Sequence, residues 1–160
     1  MTTADTIYLA DYSAPAFLVD TVQLTFDLAA KKTRVTSRIE FHRSPGSTGD
    51  LVLHGEHLTL MRASIDGRAL AEADYERGET VLTIGGANLP DIFVWEAEVE
   101  IAPDENTALS GLYTSKGMYC TQCEAEGFRR ITFYPDRPDV MATFTVRING
   151  DAPVLLSNGN

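Results

Sequence analysis

The chain is poor in cysteine, in basic residues near its start and in long apolar runs. Cys120 and Cys123 are the two cysteines among 160 residues. That is too few for a disulfide framework, so a reduced, cytoplasmic setting is the expectation. No Lys or Arg precedes Lys31, so a charged segment leading into an apolar stretch is missing and a secretory signal is not expected. The longest apolar runs, such as Ile92-Phe93-Val94-Trp95, hold four residues, against the ~20 a membrane helix needs. Lys and Arg number 13 against 23 Asp and Glu, a formal charge of −10. That balance speaks against nucleic acid or an anionic membrane as partner, because both demand clustered cations to displace counterions.

Complete catalytic motifs are also missing. No nucleophile elbow, phosphate-binding glycine loop or Ser/His/Asp ordering occurs. The histidines are His42, His54 and His57, the last two within a His-Gly-Glu-His string. A zinc-protease helix needs His-Glu-x-x-His, whose spacing puts both imidazoles on one helical face. Here the spacing is three and Gly55 interrupts. On a strand such positions point to opposite faces, so these histidines are expected at the surface or half-buried, with no metal. Cys120-Thr121-Gln122-Cys123 is a C-x-x-C. A redox pair would need a strand-to-helix turn in an α/β setting, and a zinc ribbon would need a second C-x-x-C. Neither is present, and two ordinary thiols are the expectation.

What the sequence does carry is a period of two. Val22, Leu24, Phe26 and Leu28 alternate with Gln23, Thr25 and Asp27. Val35, Ile39 and Phe41 oppose Arg34, Thr36, Arg38 and Glu40, and Phe93, Trp95, Ala97, Val99 and Ile101 oppose Glu96, Glu98 and Glu100. Phe144, Val146 and Ile148 repeat the pattern against Thr145 and Arg147. Such alternation puts one face on a core and one in water, the mark of an antiparallel sheet. The glutamate row is expected to be a solvated strand face with Arg or Lys opposite it on a neighbouring strand. Asp66-Gly67 predicts a hairpin between Leu58–Ile65 and Arg68–Leu70, and Ser115-Lys116-Gly117 predicts another tight turn. Helical spacing is absent apart from one short turn around Ala125–Ile131. The fold class is all-β, with twisted, mainly antiparallel sheets. The length suits one domain over residues 1–160, able to bury about 70% of its unfolded surface without a staple.

Residues 118–142 are dense in polar and charged groups between Gly117 and the rigid Pro135-Asp136-Arg137-Pro138. A loop of that kind on a rigid sheet is where function tends to sit. Thr121-Gln122-Cys123-Glu124-Ala125-Glu126-Gly127-Phe128-Arg129, followed by Asp136-Arg137-Pro138-Asp139-Val140, resembles the N-terminal domain of the aminopeptidase N family of zinc metallopeptidases, above all its bacterial branch. Tyr12-Ser13-Ala14-Pro15, Thr25-Phe26-Asp27-Leu28 and the closing Leu155-Leu156-Ser157-Asn158-Gly159-Asn160 are similar to it as well. The resemblance runs over about residues 8–160 and implies a saddle- or sandwich-like β domain.

In that family the Gln-x-Glu of this domain projects into an active-site cavity built mainly by a following thermolysin-like domain. The resemblance thus implies Gln122 and Glu124 as substrate-binding residues, a peptide N-terminus as substrate and the catalytic domain of the same chain as partner. The residue types suit the task. A peptide α-amine has a pKa of about 7.7–8.0 and is largely cationic near neutrality. A carboxylate can take that ammonium in a charge-assisted hydrogen bond, and a glutamine amide offers both a donor and an acceptor. If both residues lie on a strand, their spacing of two turns them to one side and Cys123 to the other. The zinc ligands of the family, His-Glu-x-x-His and a downstream Glu, and its Gly-Ala-Met-Glu-Asn motif do not occur here. Zinc is therefore expected in the parent enzyme and not in this fragment, which is expected to be inactive alone and to lack the domain's last strands. A stand-alone β-sandwich module for protein or carbohydrate is the alternative reading, and a small redox protein using Cys120 and Cys123 a third.

Overall fold

The computed structural model describes residues 8–158, so Gly159 and Asn160 of the family-like closing segment lie outside the described residues. The long alternating stretches form long strands. They are β1 (Phe17–Asp27), β2 (Thr33–Arg43) and β8 (Ile92–Ile101). Shorter strands are β3 (Leu51–His54), β4 (Thr59–Ile65), β5 (Arg68–Ala69), β6 (Glu76–Arg77) and β7 (Val81–Ile84). The chain continues through β9 (Gly111–Ser115), β10 (Met118–Gln122) and β11 (Thr143–Asn149). A six-stranded sheet runs β11-β1-β2-β8-β4-β5, a three-stranded sheet runs β3-β7-β6, and β9 pairs with β10. Every pairing is antiparallel except β1 with β11. The helical content of the described residues consists of short 3-10 turns, one of them at Phe128–Arg130. No helix among them is long and apolar enough to cross a membrane.

The inward residues of β1, β2 and β8 join Leu51, Leu53, Leu82 and Ile84 of the smaller sheet in one buried cluster. Trp95, Ile39, Phe41 and Val22 are fully enclosed. Phe93 stacks on Phe41 at 5.3 Å and meets Phe17 edge-on at 5.4 Å, geometries that aromatic quadrupoles favour. A polar pair also sits inside. The hydroxyl of Thr132 donates to Ser37 Oγ at 3.0 Å, pinning the segment after the Phe128–Arg130 turn to the inner face of β2.

On the outer face, Glu98 lies between two arginines. Arg34 of β2 reaches it at 3.0 Å and Arg62 of β4 at 2.9 Å, while Lys32 pairs with Glu100 at 3.6 Å. Glu98 and Glu100 of the row are thus ion-paired, while Glu96 accepts from the Ser64 hydroxyl at 3.2 Å. Both tight turns form as their residues predict, each with two successive left-handed residues, Asp66 (φ 50°) with Gly67 (φ 77°) and Lys116 (φ 50°) with Gly117 (φ 82°). Two positive φ angles in a row define the turn that matches strand twist.

The last strand departs from expectation. β11 alternates as read, and its register sets Phe144, Val146 and Ile148 beside Val22, Leu24 and Phe26 of β1. It nevertheless pairs parallel at the sheet edge, and Phe144 and Val146 stay 45% and 40% exposed. Periodicity reports which residues share a face. It does not report whether another layer covers that face.

Candidate functional site

The site is the end of the β9–β10 hairpin and the turn beyond it. Gln122 closes β10 opposite Gly111. The chain then leaves the sheet, so Glu124 does not lie on a strand as its spacing from Gln122 suggests. The reason is local. The Gly127 N–H donates back to the Cys123 carbonyl at 2.9 Å, folding residues 123–127 into a turn. A Cβ at Gly127 would stand 2.5 Å from the Gln122 carbonyl oxygen and 2.8 Å from Cys123 Cα, a closeness only glycine permits. The turn still brings the two residues together by another route. Gln122 Nε2 donates to the Glu124 main-chain carbonyl at 3.3 Å. Both side chains are exposed, and among the described residues none donates a hydrogen bond to the Glu124 carboxylate.

The base of this tip is rigid and ionic. Asp136, buried at 6% exposure, accepts through Oδ2 from the Arg129 main-chain N–H at 3.1 Å and from Arg129 Nε at 2.8 Å. Arg129 Nη2 also donates to the Asp136 carbonyl at 2.9 Å. Glu126 and Glu56 add ion pairs to Arg129 at 3.3 and 3.9 Å, and Arg130 meets Glu56 at 2.8 Å. A buried charge survives only with such partners. His54, at the end of β3, bridges to Tyr134 and accepts through Nδ1 from the Asp136 N–H at 3.1 Å. Burial, reinforced by the Arg129 charge, pushes the His54 imidazole below its usual value. Burial also drives the Tyr134 phenol up to about 12.

The rest of the family-like signature forms a clasp. Arg137 holds Asp139 through two hydrogen bonds at 2.8 and 2.7 Å and donates to the Ser13 carbonyl at 2.8 Å. Tyr12 donates its hydroxyl to Asp139 at 3.0 Å. The Arg137 hydrogen bonds hold the Asp139 carboxyl below the carboxylate range. The string read from sequence as one functional block therefore divides in two. Gln122, Glu124, Ala125 and Glu126 stand outward, while Arg129, Asp136, Arg137 and Asp139 build the support. Sequence reasoning missed that support. Glu56 and His54 lie far from Arg129 and Asp136 along the chain, and no local spacing links them.

Cys120 and Cys123 are unbonded and half-buried, and burial pushes the Cys123 thiol up, opposite to the depression a reactive thiolate requires. His54 is half-buried and His57 exposed. No group of three or more His, Cys, Asp or Glu side chains among the described residues is arranged to hold a metal ion. A groove of about 590 Å³ lined by His57, Asn106, Leu112 and Arg130 includes neither Gln122 nor Glu124, which face outward instead.

The chain is 50% identical to aminopeptidase N of Caulobacter vibrioides over 160 residues, covering 99% of this chain, and 46% identical to aminopeptidase N of Escherichia coli, covering 96%. It spans about 18% of the length of these curated relatives. Among solved structures, Legionella pneumophila aminopeptidase A in complex with aspartic acid superposes with a TM-score of 0.80 at 34% identity, over 88% of this chain and 17% of that one. An M1 zinc metallopeptidase from Deinococcus radiodurans shares the fold, with a TM-score of 0.67 at 16% identity over 83% of this chain and 32% of its own. The Peptidase M1 N-terminal domain family matches residues 12–160, and the chain belongs to that family.

Proposed function

We propose that residues 1–160 are the N-terminal β domain of a larger zinc aminopeptidase that removes N-terminal residues from peptides, and that Gln122 and Glu124 recognise the substrate's free α-amine. The observation that carries this reading is the exposed Glu124 carboxylate, without a donor among the described residues, on a turn anchored by the Arg129–Asp136 pair. An ammonium arriving there supplies the missing donors in a charge-assisted bond. Gln122 spends its amide N–H on the Glu124 carbonyl, which leaves its own carbonyl oxygen free to accept from the same amine. A substrate without the amine would leave the acid desolvated and unpaired once the cavity closed, and that penalty enforces exopeptidase selectivity.

The described residues do not fit zinc, so no step at the metal is assigned to them. The metal and the catalytic domain belong, in this reading, to the remainder of the enzyme, against which the tip projects. The chain's contribution is binding and orientation. In the full-length enzyme, Glu124→Gln should lower kcat/KM for a free-amine peptide by about ten- to a hundredfold, the cost of one charged hydrogen bond. An unchanged kcat/KM would refute the role. The 160-residue chain alone should not cleave an alanine chromogenic amide above background.

A further inference from the structure

We infer that His54 and Asp136 are positioning residues that set the Gln122/Glu124 turn through Arg129, an inference that rests on the amine-recognition reading above. Neither touches Glu124. The connection runs through four hydrogen bonds. The Asp136 N–H donates to His54 Nδ1 at 3.1 Å, a proton it shares with the Tyr134 carbonyl at 2.8 Å, and Asp136 Oδ2 accepts from the Arg129 N–H and Nε at 3.1 and 2.8 Å. Arg129 lies in the Phe128–Arg130 turn, which begins at Gly127, and the Gly127 N–H closes the tip onto the Cys123 carbonyl at 2.9 Å. Arg129 Nη2 also reaches Glu126 inside the tip at 3.3 Å. A shift of Asp136 therefore moves Arg129, and with it the Glu126–Gly127 end of the turn that bears Glu124.

The first bond imposes a protonation state. Nδ1 can accept only while it carries a lone pair, so the imidazole must be neutral with its proton on Nε2. The charged groups acting on the ring are Arg129, which disfavours the cation, and Asp136 and Glu126, which favour it, as does the Tyr134 main-chain carbonyl; the Tyr134 phenol, pushed up to about 12, stays neutral. Strand β7 sets only the aliphatic Val81 opposite His54 in register. With burial added, the neutral, accepting form holds at neutral pH. Protonation in acid puts a proton where the Asp136 N–H points, which leaves that N–H to the Tyr134 carbonyl alone and releases Asp136 from the ring.

Two substitutions separate this positioning role from simple packing. Asn carries its Oδ1 two bonds from Cβ, where His carries Nδ1, so His54→Asn keeps the acceptor and removes the titration. His54→Leu removes the acceptor. In the full-length enzyme, hydrogen–deuterium exchange of residues 122–130 and the KM for a free-amine peptide would be measured at about pH 7.5 and at an acid pH below the native His54 titration, located by NMR of the imidazole. The native protein should exchange faster at the acid pH, after correction for intrinsic rates, and its KM should rise there by about three- to tenfold, the cost of one hydrogen bond. His54→Asn should be slow and tight at both values, and His54→Leu fast and weak at both, with kcat moving less than KM. An acid response in His54→Asn equal to the native one overturns the inference, as does unchanged exchange in His54→Leu. Should His54→Leu fail to fold, the flat response of His54→Asn carries the test. If exchange follows the pattern while KM does not, the relay stands and the amine-binding role of Gln122 and Glu124 falls.

Discussion

Arg129 donates through Nε to the Asp136 carboxylate at 2.8 Å and through Nη2 to the Asp136 carbonyl at 2.9 Å, so one guanidinium holds both the side chain and the backbone of a buried acid. Removing Asp136 leaves the largely buried guanidinium with only the longer ion pairs to Glu126 at 3.3 Å and Glu56 at 3.9 Å. Asp136→Ala should cost about 3–5 kcal/mol of stability, as for broken buried ion pairs generally. Urea unfolding followed by the fluorescence of Trp95, the single tryptophan and fully enclosed, measures it. A loss below about 1 kcal/mol would show that the pair contributes no more than a surface bridge.

His54 makes stability depend on pH with a definite sign. Its folded pKa lies below the ordinary value near 6.5, first through burial and then through Arg129. Between the two pKa values the unfolded chain binds more protons than the folded one, so stability rises with pH through that window. The contribution is fully present above about pH 6.5 and declines as the pH falls toward the folded pKa. Melting temperatures taken from about pH 5 to about pH 7.5 should fall on the acid side in the native protein and more shallowly in His54→Asn. Equal slopes would remove His54 from the account.

Gly127 is required by space rather than by its backbone angles, since its φ of −103° suits any residue. Gly127→Ala drives a methyl group into the Gln122 carbonyl and Cys123. The turn must open, at about 1–3 kcal/mol, as for other overpacked sites. In the full-length enzyme this should raise KM for free-amine peptides more than it lowers kcat. A crystal structure of the variant with residues 122–127 unmoved would contradict this.

The uncovered face of β11 has a consequence for the chain alone. Phe144 meets Phe128 edge-on at 5.7 Å, yet it and Val146 stay 45% and 40% exposed where they continue the core face of β1 along a sheet edge, and edges of that kind invite association. Sedimentation velocity should show concentration-dependent association of the 160-residue chain, relieved by Val146→Lys. If both forms sediment as monomers at every concentration, the face is not adhesive.

Much of this architecture was legible beforehand because alternation is a local property. Phe93, Trp95, Ala97, Val99 and Ile101 had to share one face of any strand they joined, and Glu96, Glu98 and Glu100 the other. Asp66-Gly67 and Lys116-Gly117 supplied turns that few other pairs could make. The candidate site was legible only in outline. Gln122 and Glu124 could be picked out, and they do meet, but through a turn rather than along one side of a strand, because a glycine three residues after Glu124 folds the chain back before the strand can continue.

Composition and order along the chain thus determined the all-β class, the strand faces, the tight turns and, through the 121–140 signature, the family. Only the tertiary structure decided which residues of that signature face outward and which support them. It alone brought His54 and Glu56 to Arg129, Asp136 and Arg130, tied Tyr12 and Ser13 to Asp139 and Arg137, and left β11 open on one face. The physical reason is the same throughout. Periodicity and turn chemistry act over a few residues, whereas the desolvation of a buried charge and the covering of an apolar face depend on whatever the fold brings alongside.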